Sequence, residues 1–269
     1  MTRALGALAA LSPLAATIGL ALYFRNAWAA AFLGSLAAAG AAWSVLSGRL
    51  ASGQLRDFVD PPPEGLSREL ESLRSALGAG QEVELGVLRD DEPNSLTLFL
   101  GPGKYLVLVT GGMLRLLTPD EVRAVLAHEV AHVAGRHPLL RVFAAVEGVL
   151  NIPLGTLLGA AVCRWLEFRA DEEGAMASGR PLDLASALVK VAMAYRGGLP
   201  ESPRAVRWTV KSLLLAASDR RGRLGSLRRA FSWHPGVEER VARLIEMARR
   251  SAGEGAPAPK SAPPLPAEG

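Results

Sequence analysis

The chain has 269 residues, enough for one ordinary domain and an additional segment. A hydrophobic content of 49% and a mean hydropathy of +0.21 are high for a purely soluble protein. The single cysteine, Cys163, excludes an internal disulfide, so the chain does not need an oxidising compartment. With a net charge of +4, 6% aromatic residues and no nucleic-acid motif, its basic character favours a membrane surface over nucleic acid as a partner.

Two apolar runs without charge lie near the amino terminus, over residues 4–24 and 27–47. Each is close to the ~20 residues that a helix needs to cross a bilayer. The first is too long for the apolar part of a signal peptide, and the second follows at once. We therefore expect a transmembrane helical hairpin over residues 1–50; the alternative is a buried helical pair in a soluble protein.

Basic residues near the ends of these runs predict the orientation of the hairpin. Arg3 precedes the first run, and Arg49 and Arg56 follow the second, whereas only Arg25 lies in the turn. By the positive-inside rule both ends lie in the cytoplasm. We expect a multi-pass protein of the inner (cytoplasmic) membrane, in contact with lipid, whose globular part faces the cytoplasm.

A linker is predicted over residues 51–66, because residues 60–65 hold three consecutive prolines and read as a stiff spacer. An amphipathic helix over residues 67–77, capped by Ser67, should follow it. Three strands are then predicted, the last two joined by a Gly-Pro-Gly hairpin signal. These strands cover residues 81–89, 95–100 and 104–110.

The next segment has strong helix signals over residues 118–136. Thr118 suits the N-cap, Pro119 suits the first helical position, and Glu121 falls where a capping box places its carboxylate. Gly135 marks the end of the predicted helix.

This helix carries the sequence H-E-V-A-H over residues 128–132. His128 and His132 are one helical turn apart, so both imidazoles leave the same face and can bind one zinc ion. Glu129 can reach a water molecule at that metal and take its proton. The alternative is a chance occurrence of the motif, so a third ligand is needed to support the interpretation.

A candidate third ligand occurs in the sequence E-F-R-A-D over residues 167–171. Glu167 and Asp171 are again one helical turn apart. One of them can bind the metal, and the other can accept a hydrogen bond from a metal-binding histidine. Alone, the pair would more simply be a solvated acidic face; together with the upstream motif, we expect Glu167 to be the ligand.

These two motifs, followed by W-H-P-G-V-E-E-R over residues 233–240, resemble the HtpX-type membrane zinc endopeptidases. The resemblance covers residues 94–243, and wider relatives include the CAAX prenyl protease and the mitochondrial inner-membrane stress protease. It implies a mainly helical α+β domain with a small sheet, gluzincin-like, behind the transmembrane hairpin.

The resemblance also implies the role of each site residue. His128, His132 and Glu167 would hold one Zn2+ per chain, with Glu129 as the general base. An exposed edge strand within residues 95–110 would bind protein or peptide substrates as an added strand.

Three further residues receive supporting roles from the resemblance. Asp171 would contact a metal-binding histidine, and Arg240 would order the site. His234 would stabilise the oxyanion or contact substrate. Alternatively, His234 is an ordinary loop or cap histidine, or it occupies the fourth zinc position and closes the site.

The apolar segment over residues 139–162 departs from the family pattern of two further membrane helices. It is too short for two spans, and a single span would place His132 and Glu167 on opposite sides of the membrane. We expect it to pack on the catalytic domain or to enter the interface without crossing.

The catalytic domain is predicted to extend over residues 67–250, with a disordered tail over residues 251–269 that is rich in Pro, Ala and Gly. An arginine-rich segment over residues 219–229 is either a solvated loop or a contact for anionic lipid. The remaining predicted helices cover residues 167–177, 182–195, 204–217 and 237–250.

The sequence thus predicts a membrane-anchored, zinc-dependent endopeptidase. The resemblance implies that it acts on misfolded or membrane proteins in quality control. A protease specialised for prenylated peptides is an alternative, although a lipid-enclosing chamber would need more spans than this chain offers. A non-catalytic zinc-bound scaffold is another, but a structural zinc site has no need of Glu129.

Overall fold

A computed structural model of the chain describes residues 27–137, 154–197 and 235–254. These residues form a mainly helical fold with one small mixed sheet, as expected for the α+β class. The strands are β1 (Val59–Asp60), β2 (Glu82–Leu88), β3 (Ser95–Gly101) and β4 (Lys104–Thr110). The helices are α1 (Ala27–Leu55), α2 (Glu64–Ala76), α3 (Gly111–Leu116), α4 (Pro119–Ala134), α5 (Leu154–Ser178), α6 (Pro181–Gly197) and α7 (Val237–Glu254).

The four strands are arranged in the order β1-β2-β4-β3. β2 and β4 are parallel, whereas β3 forms an antiparallel hairpin with β4 and β1 is antiparallel to β2. Within the described part of the chain, β3 pairs only with β4 and is therefore an outer strand. The predicted β-hairpin of β3 and β4 is confirmed, and its first strand, β3, is the outer one.

The register of β3 decides which of its backbone groups point away from the sheet. The Thr110 N–H donates to the Asn94 carbonyl at 3.0 Å, so residues 94 and 110 form a hydrogen-bonded pair. Hydrogen-bonded and non-bonded pairs alternate along an antiparallel ladder. From this register we infer that Ser95, Thr97 and Phe99 turn their backbone N–H and C=O groups to the outer edge.

The carboxyl-terminal half of α1 packs against this outer strand. Gly48 is buried against the Phe99 carbonyl, which a side chain at position 48 would overlap. The Arg49 Nε donates to the Leu100 carbonyl at 2.9 Å. Near the end of α1, Leu55 is 1% exposed in a cluster under the sheet. The end of β3 is thus fixed to α1.

The centre of the molecule is α4, which packs against α2, α5 and α6. Its Thr118 cap forms the predicted capping box with Glu121, and Gly135 ends the helix. Leu126 and Val130 are fully buried. Because α4 is covered on several sides, the polar residues of its H-E-V-A-H sequence lie inside the protein.

The segment over residues 51–66 is folded into the domain, unlike the expected linker. Residues 59–60 form β1, in which Val59 pairs with Leu88 of β2. α2 begins at Glu64 after a Pro63 N-cap that has no side-chain cap, whereas Ser67 was expected to cap it. The three prolines follow β1 and directly precede α2. They therefore form a short corner between two packed elements rather than a spacer.

The helix that carries Glu167 is longer than predicted. Instead of beginning at Glu167, α5 begins at Leu154, so residues 154–162 are its first nine residues rather than a separate segment. Ala160, Cys163 and Leu166 are buried along it. The last helix, α7, continues to Glu254, four residues into the predicted tail.

Several predictions fall on residues that the structure does not describe: the first apolar run, residues 139–153, the helix over 204–217, the arginine-rich segment and most of the tail. The second apolar run coincides with the first part of α1. Among the described residues, no helix combines the length and apolarity that a membrane crossing requires.

Candidate metal centre

The two histidines of α4 direct their rings to one point. The Nε2 atoms of His128 and His132 lie 3.1 Å apart, and the rings meet edge to face. Residues four apart on a helix are neighbours on one face, which brings these rings together. His128 is 7% exposed and His132 is 5% exposed.

Glu167 of α5 completes this group. Its Oε2 lies 3.8 Å from Nε2 of His128, and its Oε1 lies 3.5 Å from Nε2 of His132. Ligands at ~2.0–2.1 Å from a tetrahedral zinc ion are about 3.3–3.4 Å apart, so the three donors fit one ion. Two imidazoles and one carboxylate are also a known ligand set for catalytic zinc, with a fourth position left for water or substrate. The three residues form a buried group that could hold a metal ion.

Close contact between α4 and α5 allows Glu167 to reach the histidines. Gly174 of α5 faces the backbone of His128, and a Cβ at position 174 would lie 2.7 Å from its nitrogen. Real Cβ contacts are essentially never that short. The absence of a side chain at this position is thus part of the geometry of the site.

Asp171 and Arg240 support the group from behind. The Asp171 Oδ1 lies 3.0 Å from Nδ1 of His128, the ring nitrogen away from the metal position. Arg240 of α7 donates to both oxygens of Asp171, at 2.7 and 2.6 Å. Its Nη1 also lies 3.3 Å from Oε2 of Glu167. A single guanidinium therefore holds both carboxylates of the E-F-R-A-D sequence.

Contacts among His128, Asp171 and Arg240 shift the pKa values of all three residues. Burial favours neutral His128, but contact with Asp171 outweighs it and raises the His128 pKa. Burial also favours neutral Asp171, but the Arg240 hydrogen bonds outweigh it and lower the Asp171 pKa. Contact with Asp171 in turn outweighs burial and raises the pKa of Arg240. Asp171 and Arg240 thus form an ionised pair.

His137 is a site residue that the sequence interpretation missed. Its Nδ1 lies 2.8 Å from Nδ1 of His132, and it is 4% exposed. The chain turns back after α4 because Arg136 adopts a positive φ of 54°. The His137 ring then covers Gly135, where a Cβ would overlap it. The only sequence signal was a histidine shortly after the motif.

Glu129 has two partners that the sequence interpretation also missed. Ser95 Oγ donates to one carboxylate oxygen at 2.7 Å, and Thr97 Oγ1 donates to the other at 2.6 Å. Both hydroxyls come from β3. Glu129 is 6% exposed, so these contacts lie in a nearly closed environment. His234 lies outside the described residues, although Arg240, from the same predicted motif, is placed at the site.

A buried His-His-Glu group with a second glutamate beside the first histidine defines the metal-dependent peptidases of the H-E-x-x-H type. The profile of peptidase family M48 matches residues 63–161. An HtpX protease homologue from Burkholderia multivorans is 33% identical over 196 residues, covering 61% of this chain and 67% of the relative. Another from Paraburkholderia phytofirmans is 32% identical over 195 residues, with the same coverage.

The chain belongs to the HtpX-type proteases of peptidase family M48 and is a metallopeptidase. Among solved structures, the crystal structure of S. mikatae Ste24p covers 69% of this chain and 50% of its own, at 17% identity. The TM-score of 0.44 for that match is too low to support an argument about this site.

Proposed function

We propose that this protein is a zinc-dependent endopeptidase and that His128, His132 and Glu167 hold the ion. The observation that carries the proposal is the buried convergence of these three donors from two helices, beside Glu129. When bound, zinc supplies Lewis acidity towards water and the peptide carbonyl.

Glu129 acts as the general base in this proposal. It takes a proton from the attacking water and delivers it to the leaving amine, as microscopic reversibility allows for one carboxylate. His234, by resemblance, stabilises the oxyanion.

Asp171 and Arg240 keep the ligands in place. Asp171 orients His128 through Nδ1, so that Nε2 is directed to the metal. Arg240 offsets the negative charge of the buried Asp171 and Glu167 carboxylates and holds them in position.

The substrate is proposed to bind as an extended strand at the outer edge of β3. The inferred outward direction of the Ser95 and Thr97 backbone groups supports this mode. A strand added to a sheet edge is recognised mainly through its backbone, which suits unfolded proteins of varied sequence. Such breadth fits quality control of misfolded or membrane proteins.

Membrane attachment is proposed to reside in residues 1–50, with the peptidase domain in the cytoplasm. The apolar run over residues 4–24 and the distribution of arginines support this arrangement. A gluzincin-like domain over residues 67–250 would then act on substrates at or near the inner-membrane surface.

Casein cleavage by the purified full-length chain tests the proposal, beside Glu129→Gln assayed for metal content. We expect cleavage by the wild type after zinc addition, and none by a variant that still binds about one zinc per chain. Equal cleavage by both proteins would remove Glu129 from the mechanism. Absence of cleavage by a zinc-loaded wild type would overturn the proposed activity.

A further inference from the structure

We propose that Ser95 and Thr97 are positioning residues for Glu129, and that they link the substrate-binding edge of the sheet to the general base. The inference rests on the proposed function of Glu129. No motif in the sequence marks either residue, because the contacts join positions 34 and 32 residues apart.

The contacts form a two-point clamp. Each hydroxyl donates to a different oxygen of the Glu129 carboxylate, at 2.7 and 2.6 Å. Alternate residues of a strand point to the same face, so Ser95 and Thr97 reach one carboxylate from one side. Two donors fix both the position of the carboxylate and its rotation about the last side-chain bond. A carboxylate has about four lone-pair sites, so two remain to accept a proton from water.

The strand that carries the clamp is itself held at both ends. At its start, the Asn94 N–H donates to Thr110 Oγ1 at 2.9 Å, and the Thr110 N–H donates to the Asn94 carbonyl. At its end, Arg49 of α1 binds the Leu100 carbonyl, and Gly48 covers the Phe99 carbonyl. Ser95 and Thr97 therefore lie between two points at which β3 is held by hydrogen bonds or close packing.

The same two residues also face the proposed substrate position. By the register of β3, their backbone groups are directed to the outer edge, while their hydroxyls hold Glu129. Phe99 is the third residue whose backbone groups point outward, and α1 covers its carbonyl at Gly48. Backbone pairing with an extended peptide at Ser95 and Thr97 would thus occur on the residues that orient the base.

A matched pair of variants at position 97 tests the positioning role. Thr97→Val keeps the shape of the side chain and removes the hydroxyl, whereas Thr97→Ser keeps the hydroxyl and removes the methyl group. We expect Thr97→Val to lower kcat by about 10-fold, which corresponds to about 1.4 kcal/mol in the activation free energy, because the carboxylate loses one of its two hydrogen-bond donors. KM and zinc content should remain unchanged, and Thr97→Ser should retain most of the activity.

Ser95→Ala should give the same kcat-selective loss. The inference is wrong if Thr97→Val and Ser95→Ala both keep wild-type kcat. It is equally wrong if Thr97→Ser loses as much as Thr97→Val, because the loss would then reflect packing rather than the hydroxyl.

Thermal unfolding supplies a readout that does not depend on catalysis. Thr97→Val should lower Tm by more when Glu129 is present than in a Glu129→Ala background, because the two side chains contact each other. If the Tm shifts of Thr97→Val and Glu129→Ala are additive and the wild type is active, the inference is wrong and the proposed function stands. If the zinc-loaded wild type cleaves no substrate, the positioning role of Ser95 and Thr97 in catalysis and the proposed function are both wrong. This holds even if the Tm shifts are not additive.

Discussion

The Nδ1 atoms of His132 and His137 lie 2.8 Å apart in the interior of the protein. A histidine that binds a metal through Nε2 carries its proton on Nδ1, so His132 would donate and His137 would accept. On the proposed metal site, the His137 ring would thereby orient the ring of one metal ligand, as Asp171 would for His128. The two histidines of the motif have different supporting partners.

Removal of this partner should weaken metal binding without abolishing it. For His137→Ala we expect a loss of about 10–100-fold in zinc affinity, the usual effect of losing the partner of a metal-binding histidine. Competition with a chromophoric chelator at fixed pH measures the change. Unchanged zinc affinity would show that the His132 ring is held by its own helix.

Replacement of Gly135 should have a related effect through packing. A Cβ at this position would overlap the His137 ring, so Gly135→Ala should displace His137 and weaken zinc binding in the same direction. The same chelator competition measures it. Wild-type affinity in Gly135→Ala, beside a clear loss in His137→Ala, would show that the ring can move aside and still reach His132.

Loss of Arg240 should destabilise the fold. Arg240→Ala leaves Asp171 and Glu167 without their shared cation in a buried site, and breaking a buried ion pair costs about 3–5 kcal/mol. Denaturant unfolding of the metal-free protein measures the loss. Arg250→Ala, on the exposed side of the same helix, is the matched control and should change stability by less than about 0.5 kcal/mol. Equal small effects of both substitutions would contradict the ion-pair assignment.

Glu121 should give the fold a defined dependence on acid pH. Burial would raise its pKa, but hydrogen bonds from Lys190, Ser186 and the Thr118 N–H outweigh burial and lower the pKa to about 2. Because the folded pKa lies below the unfolded value, the ionised group stabilises the protein above pH ~4.5, and this contribution is lost as the pH falls towards about 2.

Glu121→Gln tests this linkage through the pH dependence of Tm. The variant should be less stable than the wild type at pH 7, and the difference should shrink as the pH is lowered from ~4.5 towards about 2. A difference that is constant over this range would mean that the loss comes from packing or from the helix cap rather than from the charge.

Two glycines of α1 should respond in opposite directions to the same substitution. Gly53→Ala meets no atom within 4 Å and should stabilise the helix by up to about 1 kcal/mol. Gly48→Ala would overlap the Phe99 carbonyl and should lower Tm despite the same gain in helix propensity. Stabilisation by both substitutions would show that α1 does not pack closely on β3.

Local signals predicted much of the architecture. The capping box of Thr118 and Glu121 located α4, and the Gly-Pro-Gly turn located the β3–β4 hairpin. Helical spacing alone placed His128 and His132 on one face. These features depend on residues within a few positions of one another, where propensity and capping decide the structure.

The missed features depend on contacts between distant parts of the chain. Ser95 and Thr97 meet Glu129 only because β3 lies beside α4 at this register. His137 returns to His132 because Arg136, not a glycine, adopts a positive φ. The prolines before α2 read as a spacer because the pairing of Val59 with Leu88 gives no local signal. Tertiary packing decided each of these cases.

The most direct test of the metal centre is anomalous diffraction at the zinc edge from crystals of the zinc-loaded full-length protein. We expect one peak, ~2.0–2.2 Å from Nε2 of His128, Nε2 of His132 and a Glu167 oxygen, with a fourth position open to solvent. Absence of a peak at these donors, or binding through Asp171 in place of Glu167, would contradict the assignment of the metal site.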